Sequence, residues 1–187
     1  MDARHLDAHR TQYREKLHTF LRKYTSPSLI ARLKNAIKKA PHRQVCVNGS
    51  AERWKSAKLQ PSDPVLNFYV SPEHLELIAA CTALPLNSFQ GIRAWAHSYS
   101  EGESIPRHRD AAGFCQLVVG LELLADADSS LLYIESGSGS VGYRLDPGDA
   151  LLFKATQLYH WTRPLRKLPR SRFAKRTVLV VRYGVAS

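Results

Sequence analysis

Apolar and polar positions follow two different periods along the chain, and the change falls near residue 90. Upstream, Leu6, Tyr13, Leu17, Phe20 and Leu21 recur at helical spacing and predict a first helix. Ser26-Pro27, a capping side chain followed by a proline suited to a first turn, opens a second helix. Its inward face is Leu29, Ile30, Leu33 and Ile37, and Pro41 ends it. Residues 42–62 are polar and read as loop, Leu66, Phe68 and Val70 alternate as a strand would, and Ser71-Pro72 starts a short helix reaching about Cys81.

Downstream of residue 90 the chain breaks into short strands: GIRAWAHSY, FCQLVVGLEL, SLLYIES, DALLFKA and RTVLVVRYG. The glycine- and serine-rich SGSGSVG reads as a flexible connection, and Asp146-Pro147-Gly148-Asp149 as a tight turn. Helices first and strands afterwards argue for a β-sandwich or a barrel-like jelly roll with helices packed outside. The fold class expected is α+β, mainly β, with a jelly-roll (double-stranded β-helix) core and N-terminal helices packed outside. A chain of 187 residues suits one domain. We expect residues 1–187 to form it, with a basic, largely helical portion over 1–62 and the jelly-roll core over 90–184.

Composition narrows the function classes only a little. An apolar share of 44% with 23% charged residues is that of a globular protein. No run approaches the about 20 apolar residues that span a bilayer, and the N-terminus has no apolar signal core, so no membrane span is expected. Cys46, Cys81 and Cys115 form no CxxC pair, which points away from a disulfide framework or zinc knuckle and towards the cytoplasm. The net charge of +11 is uneven: residues 1–60 hold 14 Lys and Arg against four acids. A second basic block runs from Arg163 to Arg176 without an acid. Such surfaces attract polyanions or carboxylated and phosphorylated substrates, and equally serve solubility alone.

The candidate chemistry sits in YSEGESIPRHRD, residues 99–110. His-Arg-Asp opens the catalytic loop of protein kinases, but the Asn required five residues on is Cys115 here, and no glycine-rich phosphate loop precedes it. On a strand, residues i and i+2 share a face, so His108 and Asp110 can present an imidazole and a carboxylate together. His160, after DALLFKA, is placed to add a third ligand. Two His and one carboxylate on one side of a metal, with open positions opposite, is the non-haem Fe(II) pattern.

The combination resembles the Fe(II)/2-oxoglutarate-dependent dioxygenases, in particular their prolyl-hydroxylase-like branch. Tyr99, Gly102, Ile105, His108 and Asp110 match one family stretch; Pro147, Gly148, Phe153 and His160 in LDPGDALLFKATQLYH match another. The resemblance covers about residues 90–184. It implies His108, Asp110 and His160 as iron ligands, Fe(II) as cofactor, and 2-oxoglutarate and O2 as cosubstrates. The far carboxylate of 2-oxoglutarate needs a bidentate cation inside the barrel, a task that suits an arginine fork. Arg176, on one face of RTVLVVRYG with Val178, Val180 and Arg182, is the expected anchor. It lies further past the distal His than is usual in the family, which keeps Arg170 and Arg172 as alternatives. Arg182 either helps hold the near carboxylate, as in the alkylated-base demethylases, or is a strand-end surface residue. Tyr99 is either a cosubstrate contact or a core aromatic. Trp95, His97 and Arg109 are substrate-pocket candidates.

What the resemblance implies is a hydroxylase that oxidises a C–H bond of a small molecule, amino acid or peptide, including an anionic one, and releases succinate and CO2. Asp110 stands where the halogenating relatives have a small residue. The first alternative is an oxidative demethylase of alkylated nucleic acid bases. The paired arginines and the basic N-terminal third favour it; the lack of a clear aromatic-bearing lid for a flipped base opposes it. The second alternative is a cupin-type metal-binding module or isomerase with the same ligands. The oligomeric state and the role of the 162–175 loop are not legible in the sequence.

Overall fold

The structure, a computed structural model, describes residues 3–46, 52–60, 63–110, 114–137 and 139–185. Two antiparallel sheets dominate it. In chain order the elements are α1 (Ala3–Lys16), β1 (His18–Leu21), α2 (Pro27–Lys39), β2 (His42–Cys46), β3 (Arg53–Leu59), α3 (Asn67–Val70), α4 (Pro72–Thr82), β4 (Phe89–Ser100), β5 (Phe114–Leu124), β6 (Leu131–Ser136), β7 (Gly139–Arg144), β8 (Ala150–Phe153), β9 (Tyr159–Thr162) and β10 (Lys175–Val185). The larger sheet runs β1-β8-β5-β10-β4-β3-β2 and the smaller one β7-β6-β9. Among the described residues, no helix is long and apolar enough to cross a membrane.

The near-continuous apolar runs of β5 and β10 follow from burial on both faces. Leu117, Val119 and Leu121 with Leu179, Val181 and Tyr183 point to one side, where they pack with Ile30, Leu33, Ile37 and Ile78 of the helices. Val118, Val178 and Val180 point to the other, against Ile134, Leu151 and Phe153 between the sheets. The period of two therefore sorts β10 into an apolar helix-facing side and a second side that carries Arg176 and Arg182 as well as valines. The turn before β8 is seated on β5: Gly148 N–H donates to Gly120 O and Gly120 N–H to Asp149 O, each at 2.9 Å.

The helix starts read from the sequence match real caps. Ser26 Oγ accepts from Leu29 N–H at 3.3 Å, Ser71 Oγ accepts from His74 N–H at 3.3 Å, and α2 ends at Lys39, before Pro41.

Elsewhere the structure corrects the reading. The first helix does not continue to Leu21: it stops at Lys16, Leu17 takes φ 58°, and β1 pairs with β8 at the sheet edge. The apolar residues assigned to one helical face serve two cores, Tyr13 and Leu21 beneath the helices, Leu17 and Phe20 between the sheets. The polar segment 42–62 is not all loop but contains the hairpin β2–β3. β2 is an outermost strand and mostly solvent-facing, so its one partly buried residue, Val45, makes no apolar pattern, and the charged Arg43 protects an open edge. Leu66, Phe68 and Val70 are not a strand: Pro64–Leu66 is a 3-10 turn capped by Asp63 and continues into α3. The i, i+3 pair Leu66 and Tyr69 is buried there while Phe68 is 39% exposed. SGSGSVG supplies most of β7, because pairing with β6 uses backbone groups that glycine and serine offer as well as any residue. Ser138, within it, lies outside the described residues.

Candidate active site

His160 lies on β9, opposite Ile134 of β6, and its backbone bonds reciprocally with that of His108 (3.1 and 2.9 Å). His108 thus sits at an isolated bridge, not on the regular strand expected for it, and Asp110 is held beside it by its N–H donating to Ala155 O at 3.0 Å. The three potential ligand atoms lie within 4.8 Å of one another. His108 Nε2 is 3.4 Å and His160 Nε2 4.0 Å from Asp110 Oδ1.

The outer nitrogens of both rings face carbonyls. His108 Nδ1 is 2.9 Å from Pro106 O and His160 Nδ1 is 3.2 Å from Leu158 O. A carbonyl only accepts, so each Nδ1 carries a proton; the neutral His160 ring turns its Nε2 lone pair inward, and His108 Nε2 does so once it gives up the proton it shares with Asp110. Such carbonyl tethers are how proteins fix the tautomer and aim of a ligating histidine.

Electrostatics favour a cation at this point. Burial, with His108 close by, pulls the pKa of His160 down to about 4, so its ring is neutral near pH 7. Burial works against charge on Asp110, but the His108 hydrogen bond and the Arg182 guanidinium outweigh it and hold the carboxyl below its usual range. His108 is likewise disfavoured as a cation by burial, yet Asp110 and the Pro106 carbonyl raise it overall. A cluster that attracts a proton in this way has room for a metal charge in its place.

Arg182 supports the carboxylate. Its Nη2 lies 2.9 Å from each Asp110 oxygen and donates to Oδ1, its Nε donates to Gln116 Oε1 at 2.7 Å, and its guanidinium lies 5.1 Å from the centroid of the Trp95 ring. Asp110 Oδ2 is buried without a hydrogen-bond donor.

Beside the cluster opens a cavity of about 90 Å³ whose wall includes His108, His160, Tyr99, Arg176, Arg182 and Trp54. Arg176 stands opposite Tyr99 in the β10–β4 register, with its guanidinium 4.2 Å from the Tyr99 ring centroid. It is 4% exposed, and neither Nη1 nor Nη2 has a hydrogen-bond partner. Burial lowers its pKa without abolishing its charge. Arg170 and Arg172, the other anchor candidates, are exposed.

His97 lines the same cavity; Trp95 is not part of its wall and serves instead as the face under Arg182. Arg109 is exposed and directed outward, its Nη2 donating to Tyr159 Oη at 3.0 Å. Two contributors escape sequence reasoning. Gln116 is a polar residue inside an apolar strand, a signal that was legible but ambiguous. Trp54 belongs to β3, within the segment read as loop.

No family model and no curated protein matches the sequence. Solved structures do match the fold. An oxidoreductase of the 2OG-Fe(II) oxygenase family from Burkholderia pseudomallei superposes with TM-score 0.78 at 17% identity, over 96% of this chain and 90% of that one. The non-haem α-ketoglutarate-dependent epimerase SnoN of nogalamycin biosynthesis gives 0.78 at 12%, over 100% and 83%. A prolyl-4-hydroxylase from Pseudomonas putida gives 0.76 at 13%, over 96% and 98%. The chain therefore has the jelly-roll fold of these oxygenases.

Proposed function

We propose that this protein is an Fe(II)- and 2-oxoglutarate-dependent oxygenase that hydroxylates a C–H bond of a small molecule, amino acid or peptide. The observation that carries the reading is Arg176: a buried guanidinium, both terminal nitrogens unpaired, in the same cavity as the His108–Asp110–His160 cluster. An unpartnered buried cation costs several kcal/mol, so its retention calls for an anionic ligand. A carboxylate matches the guanidinium fork, and a dicarboxylate reaches from that fork to a metal.

Iron fits the donor set, because two imidazoles and one carboxylate suit Fe(II) and leave positions open. In this reading His108, Asp110 and His160 hold the metal, Arg176 binds the far carboxylate of 2-oxoglutarate, and Tyr99 supports the guanidinium with its ring face. Arg182 keeps Asp110 ionised and oriented through Gln116. Val178 and Val180 add apolar surface to the cavity wall, and a low-dielectric wall strengthens each of these charge contacts. When bound, the iron and its cosubstrate supply the oxidising power for C–H cleavage, and the protein supplies orientation and water exclusion.

The test is 2-oxoglutarate turnover in air with added Fe(II), read as succinate. We expect succinate from the wild type, at a slow uncoupled rate without prime substrate, and none from His108→Ala. Tight metal binding without succinate and without 2-oxoglutarate affinity would replace this reading with a cupin-type metal module.

A further inference from the structure

Two further polar atoms in the cavity wall are buried and unpartnered, Trp54 Nε1 and His97 Nδ1. They belong to adjacent strands. Ser56 of β3 stands opposite His97 of β4, and Trp54, two residues before Ser56, falls on the same face. The two rings lie 5.9 Å apart at 47°. An indole N–H only donates, so Trp54 requires an oxygen acceptor. His97 is neutral: burial, then the Arg182 charge, lowers its pKa to about 3. It therefore offers a hydrogen bond without bringing charge.

The oxygens of 2-oxoglutarate are already assigned on the reading above, one carboxylate to Arg176 and the other end to the metal. That leaves the Trp54 and His97 nitrogens for a different molecule. The ionised side chains in the described cavity wall are Arg176 and Arg182, and the carboxylate on Arg182 is Asp110. Bound metal and a dianionic cosubstrate offset each other, so the surplus guanidinium charge remains to attract an anion. Resting on the oxygenase reading, we infer that Trp54 and His97 form the recognition point for a carboxylate or amide oxygen of the prime substrate.

The test follows the indole N–H signals of protein labelled with ¹⁵N-tryptophan, loaded with Zn(II) as a diamagnetic stand-in for iron, with Trp54→Phe identifying the Trp54 signal. 2-Oxoglutarate is added first, then N-acetylglycine or N-acetylglycinamide, with butylammonium as the control cation. The expected result is a Trp54 signal unmoved by 2-oxoglutarate and shifted downfield by the acyl probes but not by butylammonium. A larger response to N-acetylglycine selects the carboxylate, and a larger response to its amide selects the neutral carbonyl. Trp54→Phe keeps an aromatic side chain and deletes the N–H donor; calorimetry should show it weakening the acyl probe by about tenfold, the usual worth of one hydrogen bond, while 2-oxoglutarate affinity stays unchanged. His97→Gln should behave alike. A Trp54 signal that moves with 2-oxoglutarate alone, or ignores both acyl probes, overturns the inference while leaving the oxygenase reading intact. Failure of 2-oxoglutarate to bind at all, seen in the same calorimetry, overturns that reading and this inference with it.

Discussion

Arg176 and Tyr99 face each other across two paired strands, with the guanidinium 4.2 Å from the ring centroid and its two terminal nitrogens unpaired. The arrangement stores an electrostatic cost in the ligand-free protein and releases it on anion binding. Two opposite effects are expected of Arg176→Met. Ligand-free stability should rise, by about 1–4 kcal/mol, because an unpaired buried charge is replaced by an apolar chain of similar length. Affinity for 2-oxoglutarate should fall by at least about 30-fold, the ~2 kcal/mol lower bound for removing one partner of a buried charge pair. Thermal unfolding and calorimetry on the same preparations check both signs. A variant that is less stable and still binds would show that Arg176 is paired in some other way.

Arg182 contacts no ligand in this scheme and acts through Asp110. Arg182→Met should lower metal affinity by about 10–100-fold, the usual range for losing a group that orients a ligand. Gln116→Leu, which removes only the acceptor of the Arg182 Nε–H, should shift it in the same direction by less. Anaerobic Fe(II) titration measures both; equal affinities in all three proteins would mean that Asp110 needs no such support.

His74 offers a pH dependence away from the site. Its ring is buried between Tyr24 Oη (2.5 Å) and Tyr183 Oη (2.6 Å), and burial lowers its pKa to about 4. Between that value and the unfolded value of 6.5, the unfolded chain binds a proton that the native state refuses. Stability is therefore full above pH 6.5 and falls as pH drops towards 4, by about 3 kcal/mol in all. His160 and His97 act with the same sign in the metal-free protein. Melting temperatures from pH 7 to pH 4 should fall steeply for the wild type and less steeply for His74→Gln.

Legibility of the fold and site followed physical constraint. β10 could be read because burial on both faces leaves no ordinary reason for arginine, so Arg176 and Arg182 stood out against their valines. The spacing of His108 and Asp110 was legible as well, although the backbone there is a short bridge instead of a strand. What stayed hidden depends on partners distant in sequence. β1 looks like a continued helix because Leu17, Phe20 and Leu21 keep helical spacing until pairing with β8 redirects them to two cores. β2 and β3 carry charges at the sheet edge, which mask the period of two and with it the inward face of Trp54. Arg109, adjacent to both cluster residues, is turned outward onto Tyr159, a contact that no local pattern encodes.

The most direct measurement is an anaerobic titration of the Fe(II)-loaded protein with 2-oxoglutarate, followed by visible absorbance. We expect a charge-transfer band that saturates at one equivalent of iron, absent from His108→Ala and shifted to much higher 2-oxoglutarate concentration in Arg176→Met. A folded, iron-loaded protein that shows no band at saturating 2-oxoglutarate would contradict the assignment of Arg176 and the iron site to one cosubstrate.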